Sequence, residues 1–240
     1  MNAKRILNIT IITICVFSVT SSCVRYDADP FTGRIIPRVS GYTSGVTNDL
    51  IYFNLRTGQI FNENRPNEDI TEGEQYDRLD WDLAFCGYHM RTNSGTSGCG
   101  KGGAVDLGYG NYDKWTSLSQ LSANSNWVTD TDSDVYVTYS QSDWSHYLVI
   151  HHMDLNENPW FDPNSGPQRK LTSANKLLDN CISLSGPPMS YDPSYHVYVV
   201  RTADGKRYFK LMIVSWYNTN SEIDGDGGQM SYYIDELKKQ

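Results

Sequence analysis

Two short stretches gather the side chains best suited to holding a metal-bearing ligand. "WSHYLVIHHMDLNENPW" (144–160) places His146, His151, His152 and Met153 between two tryptophans. "SGPPMSYDPSY" (185–195) sets Met189 behind two prolines in a tyrosine-rich loop. A methionine in such a loop is not filling a core. Imidazole nitrogen and thioether sulfur are both axial ligands of haem iron, and a porphyrin wants aromatic and aliphatic walls. The softer thioether favours reduced iron relative to two histidines. The competing reading is that these His and Met residues pack or lie on the surface, as most do on β-hairpins. On residue types alone the packing or surface reading is favoured over the ligand reading.

Other chemistry is poorly supported. Gly95, Gly100 and Lys101 fall on the G-x-x-x-x-G-K spacing of a phosphate-binding loop. The next position is Gly102 rather than a magnesium-binding hydroxyl, and the following "GGAVDLGYGNYDKW" has no helical period. Without that hydroxyl and a helix N-terminus the spacing has no function at a phosphate, so a tight glycine turn is expected. There is no G-x-S-x-G elbow and no H-E-x-x-H, so the chain is not read as an enzyme. Asp130, Asp132 and Asp134, and likewise Asp224 and Asp226, lack the glycine and distal glutamate of a calcium loop and read as solvated turns.

The elements that must position the His/Met loops are strands. Short β-branched and aromatic runs separated by turn residues argue for an all-β or mostly-β single domain. Strands are expected in 50–61 (broken at Gly58), 81–91, 135–140, 196–217 and 229–235, with 196–217 folded as a hairpin about Ala203-Asp204-Gly205. Residues 117–127 and 171–181 are the plausible short helices. Cys86 and Cys99 bound a 12-residue segment that a disulfide could close, with Cys181 left over. Three buried thiols is the alternative.

The N-terminus indicates export. Lys4 and Arg5, an apolar run "ILNITIITICVFSV" and the small residues "TSSC" have the layout of a secretory signal over residues 1–22. The apolar run is short of the ~20 residues of a membrane span. Small residues leading into Cys23 resemble a lipobox, with Thr20 where leucine is usual, so Cys23 is the expected acylation site. Residues 23–45 then form a lipid-anchored tether and 46–240 the β domain. Loss of Lys4 and Arg5 leaves 18 basic against 28 acidic side chains, a balance of −10. Such a chain is not expected to bind nucleic acid.

Several segments together resemble the HmuY family of haem-binding lipoproteins of Bacteroidetes. They are "YFNLRTGQI" (52–60), "WDLAFCGYHMRTNSGTSGCGKGGAV" (81–105), "VYVTYS" (135–140) and "VYVVRTADGKRYFKLMIVSWY" (197–217). The resemblance implies an all-β domain whose finger-like hairpins form a cleft for haem. It also implies a haemophore that passes haem, with host haemoproteins as a source, to a TonB-dependent outer-membrane receptor. Members use two histidines or two methionines as axial ligands. Ungapped counting from "VTY" (137–139) brings His146 to one ligand position, and the longer loop lets His152 or Met153 replace it. Met189 is the counterpart for the second ligand, with Trp144, Tyr191 and His151 as candidate pocket walls. A surface lipoprotein that binds glycan or protein through aromatic loops, without haem, is the alternative.

Overall fold

The computed structural model describes residues 34–35, 50–63, 67–138, 168–187, 190–217 and 227–239, with Ser145, Leu148, Val149 and His152. All of these belong to one compact unit, Thr32–Gln240. The signal region, Cys23 and most of the tether lie outside the described residues. Within the tether, β1 (Arg34–Ile35) is a paired strand.

Two sheets form the body. One has β2 (Ile51–Asn54), β3 (Gln59–Phe61), β4 (Leu83–Cys86) and β5 (His89–Thr92), in the order β3-β2-β4-β5. The other contains β6 (Gly103–Tyr109), β11 (His196–Arg201), β12 (Tyr208–Tyr217) and β13 (Gly227–Glu236), in the order β1-β13-β12-β11-β6. The pairings in both are antiparallel.

Alternation explains why the first sheet has no polar face. Ile51, Phe53, Leu83 and Phe85 point one way, into a core shared with Tyr198, Leu211, Ile213, Trp216 and Tyr232. The intervening Leu50, Tyr52, Ala84 and Cys86 point the other way, onto Trp81, Leu148, Leu171 and Ala174. The continuous apolar runs "LIYF" and "LAFC" are therefore those of strands covered on both faces.

Two ribbons complete the described fold. β7 (Thr131–Thr138) pairs with β8 (Gln168–Ala174), and β9 (Ile182–Ser185) pairs with β10 (Ser190–Pro193). β8 overturns part of an expected helix: residues 171–174 are strand, and only Leu178–Cys181 turns, as a 3₁₀ segment. Pairing with β7 overrides the weak helical spacing of "LTSANKLLDNC". The other expected helix, 117–127, contains a 3₁₀ turn at Leu118–Gln120 started by a Ser117/Gln120 capping box. The 81–91 run is a hairpin rather than one strand, reversing at Gly87-Tyr88. Asp130, expected in a solvated turn, is buried and leads into β7.

Candidate functional site

The loop after β5 holds the two sheets together. Asn93 is fully buried, and its amide nitrogen donates to the carbonyls of Arg78 (2.8 Å) and Trp81 (2.9 Å). Its Oδ1 accepts from the Gly100 N–H at 2.9 Å. A Cβ on Gly102 would lie 2.6 Å from the Asn93 carbonyl oxygen, and one on Gly100 would lie equally close. The glycines let backbone pass directly over Asn93. Lys101 N then donates to Ala203 O, and Asp82 accepts from the N–H groups of Leu55 and Ala203 and from Arg56. Burial pushes the Asp82 carboxyl upward, opposed by the Ala203 N–H and Arg56. The glycine run is thus a structural hub, as expected of a turn.

This path also separates the cysteines. Cys86 ends β4 in the buried layer, while Asn93 returns the chain to the start of β4 beside Trp81. Cys99 lies there, exposed, with its N–H on the Tyr76 carbonyl. Cys86 and Cys181 are buried, whereas Cys99 is exposed.

Edge strand β5 is the anchor of both ribbons. Thr92 N donates to Asp130 Oδ2 at 2.9 Å, and Thr92 Oγ1 to Asp130 Oδ1 at 2.5 Å. Asn175, just beyond β8, donates from its side chain to Asp130 Oδ1 and from its backbone to the Met90 carbonyl, both at 2.9 Å. Met90 N donates to Asp179 Oδ1 at 3.2 Å. Side chains and loops at the ribbon roots thereby occupy the sheet edge, which would otherwise invite another strand. Burial drives the Asp130 carboxyl above its ordinary range, against hydrogen bonds from Thr92, Ser97 and Asn175.

An aromatic cluster marks the root of the β9–β10 ribbon. Tyr191 of β10 stacks on Trp216 of β12, with centroids 5.2 Å apart and planes at 22°. Tyr88 meets Trp216 edge-on at 5.6 Å and Tyr191 at 6.0 Å. Tyr191 was expected in a pocket wall; Tyr88 and Trp216 were not singled out, and no local pattern links positions so distant in sequence. Trp216 is buried in this cluster, and Tyr88 and Tyr191 are half-buried.

The candidate ligands belong to the connections of these ribbons. Residues 139–167 join β7 to β8 and carry Trp144, His146, His151, His152 and Met153; residues 186–189 join β9 to β10 and carry Met189. Of these, only His152 is described: it is exposed, with φ 55°, and its N–H donates to the Val149 carbonyl at 3.2 Å. Trp144, His146, His151, Met153 and Met189 lie outside the described residues. Among the described residues, no cluster of three His, Cys, Asp or Glu side chains could hold a metal ion. Two surface pockets lie elsewhere: one of ≈ 500 Å³ under β6 and the 115–128 loop, another of ≈ 600 Å³ beside the β2–β3 turn.

The HmuY protein family profile matches residues 46–233. This chain belongs to the HmuY family. The crystal structure of the apo HmuY analog of Tannerella forsythia is similar, with TM-score 0.51 and 18% identity over 88% of this chain and 100% of that one. A Bacteroides fragilis protein assigned as a lipoprotein matches with TM-score 0.46 and 19% identity, over 78% and 84% of the two chains. Apo PinO from Porphyromonas gingivitis matches with TM-score 0.47 and 15% identity, over 81% and 93%. No curated protein matches the chain. The expected all-β fold and family hold.

Proposed function

We propose that this HmuY-family protein is a haem-binding lipoprotein, anchored through Cys23 to the outer membrane, that captures haem by axial ligation and delivers it to a TonB-dependent receptor. One observation carries the reading: the His and Met residues suited to axial ligation belong to the connections of two ribbons that share one anchor strand. Met189 would supply one ligand, and His146, His152 or Met153 the other. Tyr191, with Tyr88 and Trp216 behind it, supports a flat apolar ligand at the ribbon root. Trp144 and His151 would complete the wall. No group here is assigned a covalent or acid–base role; the site binds rather than reacts. No helix among the described residues is long and apolar enough to cross a membrane.

The test is a haem titration of the purified protein in both iron oxidation states, following Soret and visible bands, with Met189→Ala beside the wild type. Haem-induced bands are expected in the wild type, together with an altered spectrum and about tenfold or greater loss of affinity in the variant. A wild type without haem-induced bands overturns the function; an unaltered variant removes Met189.

A further inference from the structure

His89 stands out among the described residues as a buried side chain with an unanswered polar atom. Its Nδ1 has no hydrogen-bond partner. The nearest acidic group is Asp179, with Oδ1 3.5 Å away. That same oxygen accepts the Met90 N–H at 3.2 Å. A buried polar atom without a partner requires a reason. An imidazolium beside a carboxylate supplies one, since Asp179 then faces a cation rather than an idle nitrogen.

We propose that His89 and Asp179 form a proton-operated latch that fastens the root of the β9–β10 ribbon to edge strand β5. The mechanical link is short. Asp179 lies in the 3₁₀ turn Leu178–Cys181, which runs directly into β9 at Ile182. His89 is on β5, the strand that also anchors β7 and β8 through Thr92 and Met90. Protonation of His89 places a positive charge beside Asp179 and closes the latch. Deprotonation removes that charge, leaving a neutral imidazole and the Met90 N–H as the contacts from β5 to that carboxylate.

Among the described residues, the following groups surround His89 and Asp179. Cys86 is its cross-strand partner in the tight β4–β5 hairpin. Tyr88 packs against its ring at 4.2 Å, and the Cys181 thiol donates to the Tyr88 carbonyl at 3.6 Å. Burial pushes both the Tyr88 hydroxyl and the Cys181 thiol upward, so each keeps its proton through neutral pH. Arg91, two residues along β5, donates to the Ser173 carbonyl of β8. Tyr191 of β10 reaches Tyr88, with ring centroids 6.0 Å apart. Histidine is the side chain whose ordinary titration falls between about pH 5 and 8.

The latch is a property of the protein without ligand; only its consequence for haem rests on the proposed function. It is tested by amide hydrogen exchange of the ligand-free protein at about pH 5.5 and about pH 7.5, corrected for intrinsic exchange rates. Segments 178–185 and 190–193 should be about fivefold better protected at the lower pH in the wild type. That difference should vanish in His89→Gln and in Asp179→Asn, which keeps a carbonyl for the Met90 N–H. If His89→Gln fails to fold, Asp179→Asn decides. Protection independent of pH in the wild type, or a pH effect that survives in the variants, overturns the proposal. Haem titrations of the same proteins at both pH values form a second arm. An absence of haem bands there would remove the haem reading while the exchange result still decides the latch.

Discussion

The β2–β5 sheet and the two ribbons solve opposite problems with the same strand geometry. The sheet is buried on both faces, and the loop after β5 closes over Asn93, so an atom added at Gly100 or Gly102 has a neighbour to displace. In the β9–β10 ribbon, Ser183, Leu184 and Ser185 of β9 are exposed, and side-chain hydrogen bonds are made to Asp192 at its rim. Dense packing specifies one structure but leaves no room for a ligand. A two-stranded ribbon has little core of its own and is stable only where it is anchored. The division places dense packing in the scaffold and the candidate ligands in the connections of the ribbon strands.

The sharpest way to break that comparison is a single methyl group. Gly102→Ala would press a Cβ against the Asn93 backbone, with its O, C and N atoms at 2.6, 3.0 and 3.1 Å. We expect a loss of about 3 kcal/mol, read as a lower urea midpoint at unchanged slope. Ser185→Ala in the ribbon removes an exposed 2.7 Å bond to Asp192 and should change stability by less than about 0.5 kcal/mol. Equal losses at the two positions would erase the distinction between scaffold and ribbon.

Much of the scaffold was legible in sequence, because its strands carry uninterrupted apolar runs and its hairpin at 202–205 has ordinary turn chemistry. The ribbons were less so. "ISLS" and "SYDP" are too polar to read as strands, and their pairing depends on each other and on Tyr191 meeting Trp216. β6 was hidden by its glycines, and β8 by a spacing that suits a helix. At the candidate site the ligand types could be read from composition. The shared anchor could not, since Thr92, Asp130, Asn175 and Asp179 meet only after β5 becomes a sheet edge.

A smaller effect probes the junction between the two regions. The Asp130 carboxyl is pushed upward by burial, so the folded state holds its proton over a range where the unfolded chain has released it. Its contribution to stability is full below the ordinary carboxylate range, near pH 4, and is lost as pH rises through the elevated folded value. Asp130→Asn does not titrate, and its NH₂ must face one of the donors that Asp130 now accepts from, Thr92 or Asn175. Urea midpoints should therefore show the variant less stable by about 1 kcal/mol near pH 4, with the gap narrowing toward neutrality. A gap that stays constant or widens would mean that Asp130 is charged in the fold throughout.

The least perturbing test leaves the chain unaltered and asks which thiols are within reach. Cys99 is exposed on the glycine hub's outer side, whereas Cys86 and Cys181 are fully buried on opposite faces of the scaffold. A thiol-specific alkylating reagent reacts with thiolate at an accessible sulfur. Burial both shields Cys181 and pushes its thiol upward, so it should remain unmodified until the protein unfolds. Peptide mapping after brief alkylation should find label at Cys99 alone among these three in the folded state, and at all three in denaturant without reductant. Label missing from both Cys86 and Cys99 in denaturant would show a disulfide between them. Early label at Cys181 would show that the β9–β10 root opens readily, and would move the boundary between rigid scaffold and loosely anchored ribbon back from β9 to the turn at Leu178–Cys181.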